Sequence, residues 1–191
     1  MKILVEKVTR KNIRDYSKIP IAFDIKSELK CRLVDSGLGG IRLFESRTSR
    51  GKKNYDSFGG PRTWMKRFNT RNWRLFFAVK DNKYAGAAAI ACKTPKVHML
   101  ADRNDIAVLW DLRIAPEYRR SGIGRALFGK VISWLRKEKL KQLRIETQTN
   151  NVAACRFYKK QGCKLAQINT LGYWGHPKVG RETMLLWHKD I

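Results

Sequence analysis

A glycine-containing turn joins an apolar segment to a helical pattern. Residues 119–125 read Arg-Arg-Ser-Gly-Ile-Gly-Arg and follow the apolar run Ile106–Ile114. Gly122 and Gly124 allow the backbone to bend tightly and to approach a ligand without a Cβ atom in the way. A helix that begins here presents unpaired N–H groups and the positive end of its dipole. The segment therefore predicts a phosphate- or pyrophosphate-binding turn, and a plain strand-to-helix turn with incidental arginines is the alternative.

Periodicity on both sides of this turn predicts a mixed α/β pattern. After the turn, apolar residues recur on one helix face: Ile123, Leu127, Phe128, Val131, Ile132 and Leu135. Apolar runs and period-two alternation predict nine strands: Ile3–Val8, Phe23–Leu33, Ile41–Phe44, Trp73–Val79, Tyr84–Cys92, Ile106–Ile114, Leu143–Thr147, Lys164–Leu171 and Thr183–Trp187. Two short helices are expected over Arg10–Tyr16, capped by Thr9, and over Asn151–Gln161.

Two segments of the first third are less determined by their patterns. In Phe23–Leu33 the residues Ile25, Leu29 and Leu33 are also spaced by four, so a helix stays open there. Residues Ser46–Pro61 are polar and basic, and we expect a mobile loop in this region.

Net charge is the strongest anomaly of the composition. The chain of 191 residues carries a formal charge of +25, and its basic residues are densest between Arg42 and Arg74. A polyanionic partner, a nucleic acid or a ribosomal target would explain this charge, and solubility or a general basic bias is the alternative. The length and the 43% hydrophobic content predict one globular domain.

The cysteines and the apolar segments of the sequence indicate the redox state of the thiols and the location of the protein. Its four cysteines, Cys31, Cys92, Cys155 and Cys163, are scattered without zinc-ligand spacing, so we expect reduced structural thiols and no metal. The charged N-terminus lacks the apolar segment of a signal peptide, and no apolar run approaches the length of a membrane span. We expect a cytoplasmic protein without a membrane partner.

Two motifs, which follow each other in the expected order, resemble those of the GNAT N-acetyltransferases. Arg119-x-x-Gly122-x-Gly124 is similar to the family's acetyl-CoA pyrophosphate loop. The segment Asn151-x-x-Ala154-x-x-x-Tyr158-x-x-x-Gly162 resembles the family's second motif, with Cys163 in place of its usual phenylalanine. The resemblance implies an α/β (α+β) fold: a mixed, mostly antiparallel central sheet flanked by helices, with an N-terminal hairpin-like elaboration. It also implies one N-acetyltransferase domain over 1–191, with a variable acceptor-side region (1–72) and an acetyl-CoA-binding core (73–187).

The same resemblance implies roles for individual residues in transfer of an acetyl group to an amine. Tyr158 would be the general acid for the leaving CoA thiolate, and the alternative is an aromatic residue packed in the core, a role expected for Phe157 beside it. The base would be Glu146, with Asp111 or a water relay as rivals, and each carboxylate could equally be paired with a nearby cation. Acetyl-CoA is expected to contact Leu112, Arg113, Ile114, Arg119, Arg120, Ser121, Gly122, Ile123, Gly124, Arg125, Asn151 and Tyr158. Asn151 could also cap its helix.

The sequence leaves the acceptor amine open between two classes. The run from Glu146 to Asn151 and the N-terminal region resemble streptothricin acetyltransferases, which acetylate and inactivate an antibiotic. The spacing of Glu146, Asn151 and Tyr158, and the pair Tyr173-Trp174, resemble ribosomal-protein N-terminal acetyltransferases. A non-catalytic CoA-binding module and a nucleic-acid-associated module are further alternatives, and a homodimer is left open.

Overall fold

Nine strands and four α-helices make up the computed structural model, which describes residues 1–191. The helices are α1 Arg10–Tyr16, α2 Trp64–Arg67, α3 Ile123–Lys137 and α4 Val152–Lys160. The strands are β1 Lys2–Lys7, β2 Phe23–Leu33, β3 Ile41–Lys53, β4 Arg74–Lys80, β5 Lys83–Cys92, β6 Ile106–Ile114, β7 Gln142–Gln148, β8 Lys164–Asn169 and β9 Met184–Asp190. The chain divides into a first unit (Met1–Ala22, Asn54–Ile145, His188–Ile191) and a second unit (Phe23–Lys53, Glu146–Trp187).

The first unit is built on a sheet with the strand order β1-β4-β5-β6-β7. Its first three pairings are antiparallel, and β6 runs parallel to β7. Asp81 and Asn82, both with positive φ, form the tight turn between β4 and β5 that such hairpins favour. The parallel pair requires a crossover, and α3 supplies it.

Both faces of this sheet are covered. Successive side chains of a strand point to opposite faces, and its central strands carry apolar residues on both. One face carries an aromatic core with Tyr16 of α1, Trp64 of α2, Trp73 and Phe77, all of them almost fully buried. On the opposite face, the apolar stripe of α3 packs over β4, β5 and β6. Its six residues are each at most 7% exposed: Ile123, Leu127, Phe128, Val131, Ile132 and Leu135.

The second unit contains the β2–β3 hairpin, the end of β7, helix α4, and the strands β8 and β9. Strand β9 lies between β7 and β8, and Trp187 donates a 2.8 Å hydrogen bond to Thr147. Helix α4 buries one side through Val152, Cys155 and Tyr158. The exposed Arg156 of the same helix forms an ion pair with Glu45 of the hairpin.

The fold class expected from the sequence is confirmed: a mixed α/β fold with a mostly antiparallel sheet. Thr9 caps α1 through a capping box, and Phe23–Leu33 is a strand. The loop expected over Ser46–Pro61 is wrong for its first half, because β3 continues to Lys53 and pairs with β2. This pairing uses main-chain groups and no residue of β3 is buried, so a polar sequence is compatible with it. A single domain over 1–191 stays a prediction.

No helix of the chain combines the length and the apolar character that a membrane crossing requires.

Candidate active site

The end of β6 is the first component of the candidate site. Its parallel pairing with β7 covers only Ile106–Leu109, whereas its antiparallel pairing with β5 continues to Ile114. An extra residue, Trp110, forms a bulge between the paired residues Leu109 and Asp111. From Trp110 onward, one edge of the strand is therefore not used by β7. An extended ligand with amide groups could hydrogen-bond along that edge, as an added strand would.

A buried ion-pair network fixes the side chains of this strand end. The guanidinium of Arg113 is fully buried and donates to both oxygens of Asp111, at 2.9 and 2.6 Å. It also donates to both oxygens of Asp56 at 3.0 Å and to the carbonyl of Ile19 at 3.0 Å. The hydroxyl of Tyr16 donates to Asp111 at 2.7 Å. All five N–H groups of Arg113 are thus satisfied, and Asp111 accepts three hydrogen bonds.

The predicted glycine turn lies between β6 and α3. Arg119 holds the turn against the strand, donating to the carbonyls of Ile114 at 3.2 Å and Ala22 at 2.7 Å. Arg120 has a φ of 66° and Gly122 a φ of 87°, so the chain turns through two left-handed residues. Gly122 is the N-cap residue of α3, and at its positive φ a residue with a side chain would strain the backbone.

The helix N-terminus that follows this turn carries backbone donors without a partner in the helix. The first intrahelical bond is donated by Ala126 to Gly122, so the N–H groups of Ile123, Gly124 and Arg125 have no partner in the helix. The side chains of Arg120 and Arg125 are exposed and make no ion pair. Unpaired N–H groups, the helix dipole and two free guanidinium groups together favour a phosphate or pyrophosphate.

In the second unit, Glu146 lies in a cluster of hydrogen-bonded polar side chains. Tyr173 donates its hydroxyl proton to Oε1 of Glu146, and Gln148 donates to Tyr173 at 2.7 Å and to Oε1 of Glu146 at 3.3 Å. Burial raises the pKa of Glu146, while the hydrogen bonds from Tyr173 and Gln148 act in the opposite direction. Burial and the charge of Glu146 also raise the pKa of Tyr173, so its hydroxyl stays protonated.

Helix α4 begins and packs through the residues of the second motif. The side chain of Asn151 accepts a 3.1 Å hydrogen bond from the N–H of Ala154 and so caps the helix. Tyr158 is 6% exposed and its ring contacts Phe157 at 5.2 Å. The expectation that Phe157 is the core residue of this pair is wrong, because Phe157 is half-buried and Tyr158 is the more buried of the two. Burial raises the pKa of the Cys155 thiol, which agrees with a packing role.

The predicted site residues therefore fall into two groups, one in each unit. The first unit brings together the β6 and turn residues: Asp111, Leu112, Arg113, Ile114, Arg119, Arg120, Ser121, Gly122, Ile123, Gly124 and Arg125. The second unit holds Glu146, Asn151 and Tyr158. Their functional roles stay predictions. The structure adds Tyr173 and Gln148 as the partners of Glu146, and the i, i+2 spacing of Glu146 and Gln148 on one strand face could have indicated the latter.

Comparisons with known proteins agree with these motifs. The model of the acetyltransferase (GNAT) family matches residues 43–163, more than half of the chain. Streptothricin acetyltransferase A of Bacillus subtilis (strain 168) is 30% identical over 93 residues, which are 49% of this chain and 53% of the relative. The ribosomal protein bS18-alanine N-acetyltransferase of Escherichia coli (strain K12) is 36% identical over 64 residues, 34% of this chain and 43% of the relative.

Solved structures show the same fold. A protein of Bacillus anthracis strain Ames described as a streptothricin acetyltransferase, crystallised with acetyl coenzyme A, is similar with a TM-score of 0.75 and 21% identity. The match covers 100% of this chain and 98% of that one. The matched region nevertheless spans only about half the length of the curated streptothricin relative, 53%.

Proposed function

Because this chain belongs to the acetyltransferase (GNAT) family, we propose that it transfers the acetyl group of acetyl-CoA directly to an acceptor amine. The observation that carries the proposal is the N-terminus of α3. Its unpaired N–H groups from Ile123 to Arg125, with the free arginines Arg120 and Arg125, fit the pyrophosphate of CoA. The edge of β6 over Leu112–Ile114 has no partner strand and, apart from the Ile114 carbonyl that accepts from Arg119, fits the amides of the pantetheine arm.

The reaction requires two proton movements. The amine attacks the thioester carbonyl only when neutral, so a base takes its proton as the nitrogen–carbon bond forms. Glu146 is the base that we propose, since no cation is paired with its carboxylate, and burial raises its pKa. As the carbon–sulfur bond breaks, the sulfur receives a proton, for which the family motif supports Tyr158. A backbone N–H at the end of β6 would stabilise the charge that develops on the carbonyl oxygen.

We propose a streptothricin-like antibiotic amine as the acceptor. The support comes from the relatives: two streptothricin acetyltransferases are 30% and 32% identical to this chain over 93 residues. The net charge of +25 opposes a cationic acceptor at long range. The half-buried carboxylate of Glu146, which has no cationic partner, would provide local attraction for an amine.

A protein N-terminus is the second candidate acceptor. It is favoured by the basic surface, which suits a target bound to nucleic acid, and by the 36% identity to a ribosomal-protein alanine acetyltransferase. A ribosomal partner, a homodimer and a cytoplasmic location stay predictions for this chain.

The test measures CoA release and acetyl-CoA affinity together. We expect thiol release from acetyl-CoA with streptothricin, polyamines or N-terminal peptides as acceptors, and the acceptor that supports the highest kcat/KM identifies the substrate class. Gly124→Glu places a carboxylate at the N-terminus of α3 and should weaken acetyl-CoA binding at least ~10-fold by calorimetry.

Gly129→Glu is the matched control for this variant. It adds the same side chain to the same helix at an exposed position where a Cβ atom meets nothing within 4 Å. Its acetyl-CoA affinity should equal that of the wild type. Equal affinities for both variants would reject the α3 site, whereas tight acetyl-CoA binding without transfer to any acceptor would support a non-catalytic CoA-binding module.

A further inference from the structure

One oxygen of the Glu146 carboxylate is held by two donors. Gln148 has only N–H donors at Nε2, and its 2.7 Å bond to Tyr173 therefore occupies an acceptor position of the Tyr173 hydroxyl. The single proton of that hydroxyl is then directed at Oε1 of Glu146. Gln148 also donates to the same oxygen at 3.3 Å. These three hydrogen bonds set both the rotation of the Tyr173 hydroxyl and the orientation of the Glu146 carboxylate.

The second oxygen, Oε2, has no hydrogen-bond partner within the chain. Every fully buried side-chain nitrogen or oxygen in the protein has a partner, and Glu146 is a half-buried residue. Oε2 must therefore reach solvent. The carboxylate is thus anchored on one side and accessible to an incoming proton donor on the other.

We propose that Tyr173 and Gln148 are positioning residues that hold Glu146 by Oε1 and direct Oε2 toward the acceptor amine, whose proton it takes. The proposal rests on the proposed function. It assigns a role to the segment between β8 and β9, since Tyr173 lies 27 residues after Glu146 in the chain and contacts it directly. No proton passes through Tyr173, whose hydroxyl donates a hydrogen bond throughout.

The charges around this cluster are consistent with a positioning role. Glu146 has no ion pair, whereas the nearby Glu182 is paired with Lys53. The charge of Glu182 acts on Tyr173 in the same direction as that of Glu146, so both carboxylates disfavour the phenolate. The hydrogen bonds from Tyr173 and Gln148 are the interactions that favour the Glu146 carboxylate over its acid form.

The variant Tyr173→Phe tests the proposal because it removes only the hydroxyl. Loss of the hydrogen bond to Oε1 raises the pKa of Glu146 further, so the acidic limb of the kcat/KM–pH profile should move to higher pH by about 1. At a fixed pH on that limb the rate should fall ~10-fold. On the alkaline plateau kcat should fall by a similar factor, since Oε2 is no longer oriented, while KM for acetyl-CoA stays unchanged.

A readout independent of turnover separates this proposal from the proposed function. Carbon-13 NMR of labelled glutamate carboxyls, with the Glu146 signal identified by its loss in Glu146→Gln, should show the Glu146 titration moved to higher pH in Tyr173→Phe. Tyr84→Phe is the control, because it removes a hydroxyl from a partly exposed tyrosine of the first unit and should change neither profile. Gln148→Leu should shift the titration in the same direction by a smaller amount.

Two results would overturn the positioning role. The first is a Glu146 titration that is the same in Tyr173→Phe and in the wild type. The second is a titration that moves while the kcat/KM profile does not, because Glu146 would then not be the base. If no acceptor receives the acetyl group, the proposed function is rejected. The NMR titration would still decide whether Tyr173 influences the pKa of Glu146.

Discussion

At the scale of single residues, the two candidate bases differ in what surrounds their oxygens. Asp111 accepts two hydrogen bonds from Arg113 and one from Tyr16, and the guanidinium is fully buried against it. Glu146 accepts hydrogen bonds from neutral donors only, and these bind one of its two oxygens. Both oxygens of Asp111 are already engaged by these donors, whereas one oxygen of Glu146 has no partner within the chain. The geometry therefore favours Glu146 as the base and a structural role for Asp111.

This difference predicts that removing the charge of Glu146 affects activity, whereas removing the charge of Asp111 affects stability. Glu146→Gln should lower kcat ~10²- to 10⁴-fold without destabilising the fold. Because the folded-state pKa of Glu146 is raised, this group stabilises the wild type most below its unfolded-state pKa, and that contribution is lost as pH rises through the folded-state pKa. The variant should therefore gain stability relative to the wild type as pH rises, which thermal unfolding at several pH values measures.

Asp111→Asn should instead act through stability. It leaves Arg113 buried with one carboxylate, Asp56, and should cost about 3 kcal/mol of unfolding free energy, measured by denaturant titration. Any fall in activity should follow the folded fraction. An Asp111→Asn protein that is as stable as the wild type, yet inactive and with the pH dependence of kcat/KM abolished, would transfer the role of base to Asp111.

At the scale of elements, the sequence predicts the helices and strands whose apolar residues are buried. It does not predict contacts between segments that are distant in the sequence. The apolar stripe from Ile123 to Leu135 predicted α3, because a helix that covers a sheet must carry one apolar face. The sequence pattern predicts strand β3 only as far as Phe44, because beyond it the hairpin is held by main-chain pairing that leaves no apolar alternation. The contact between Tyr173 and Glu146 joins segments with no local relation, so no periodicity could indicate it.

Helix α4 offers a test of the two roles expected for Asn151. Asn151→Ala removes the side chain that accepts from Ala154 and should cost about 1 kcal/mol of stability, measured by denaturant unfolding. Asn151→Ser keeps a capping oxygen and should restore most of that stability. If the Asn151 amide also binds the pantetheine arm, the serine variant should keep a raised KM for acetyl-CoA. A serine variant that restores both quantities would limit Asn151 to capping.

At the scale of the whole molecule, the charge of +25 is placed in part where it costs stability. Arg32 and Arg42 lie directly opposite each other in the β2–β3 hairpin, and both are exposed. Like charges at facing positions of an antiparallel pair are destabilising, so folding alone does not favour this pair. A polyanionic partner would give the two arginines a favourable interaction that the isolated chain lacks.

Binding to RNA as a function of salt tests whether the charge serves such a partner. We expect log K to fall linearly with log salt, because phosphate contacts release counterions from the nucleic acid. Replacing Arg32 and Arg42 together with glutamine should reduce the slope by about 2 if each contacts one phosphate, and should slightly stabilise the hairpin. Replacing Lys137 and Lys139 with glutamine removes the same charge at the end of α3 and should leave the slope unchanged. Equal slopes for both double variants would exclude the hairpin as a specific contact, and no binding at low salt would assign the charge to solubility.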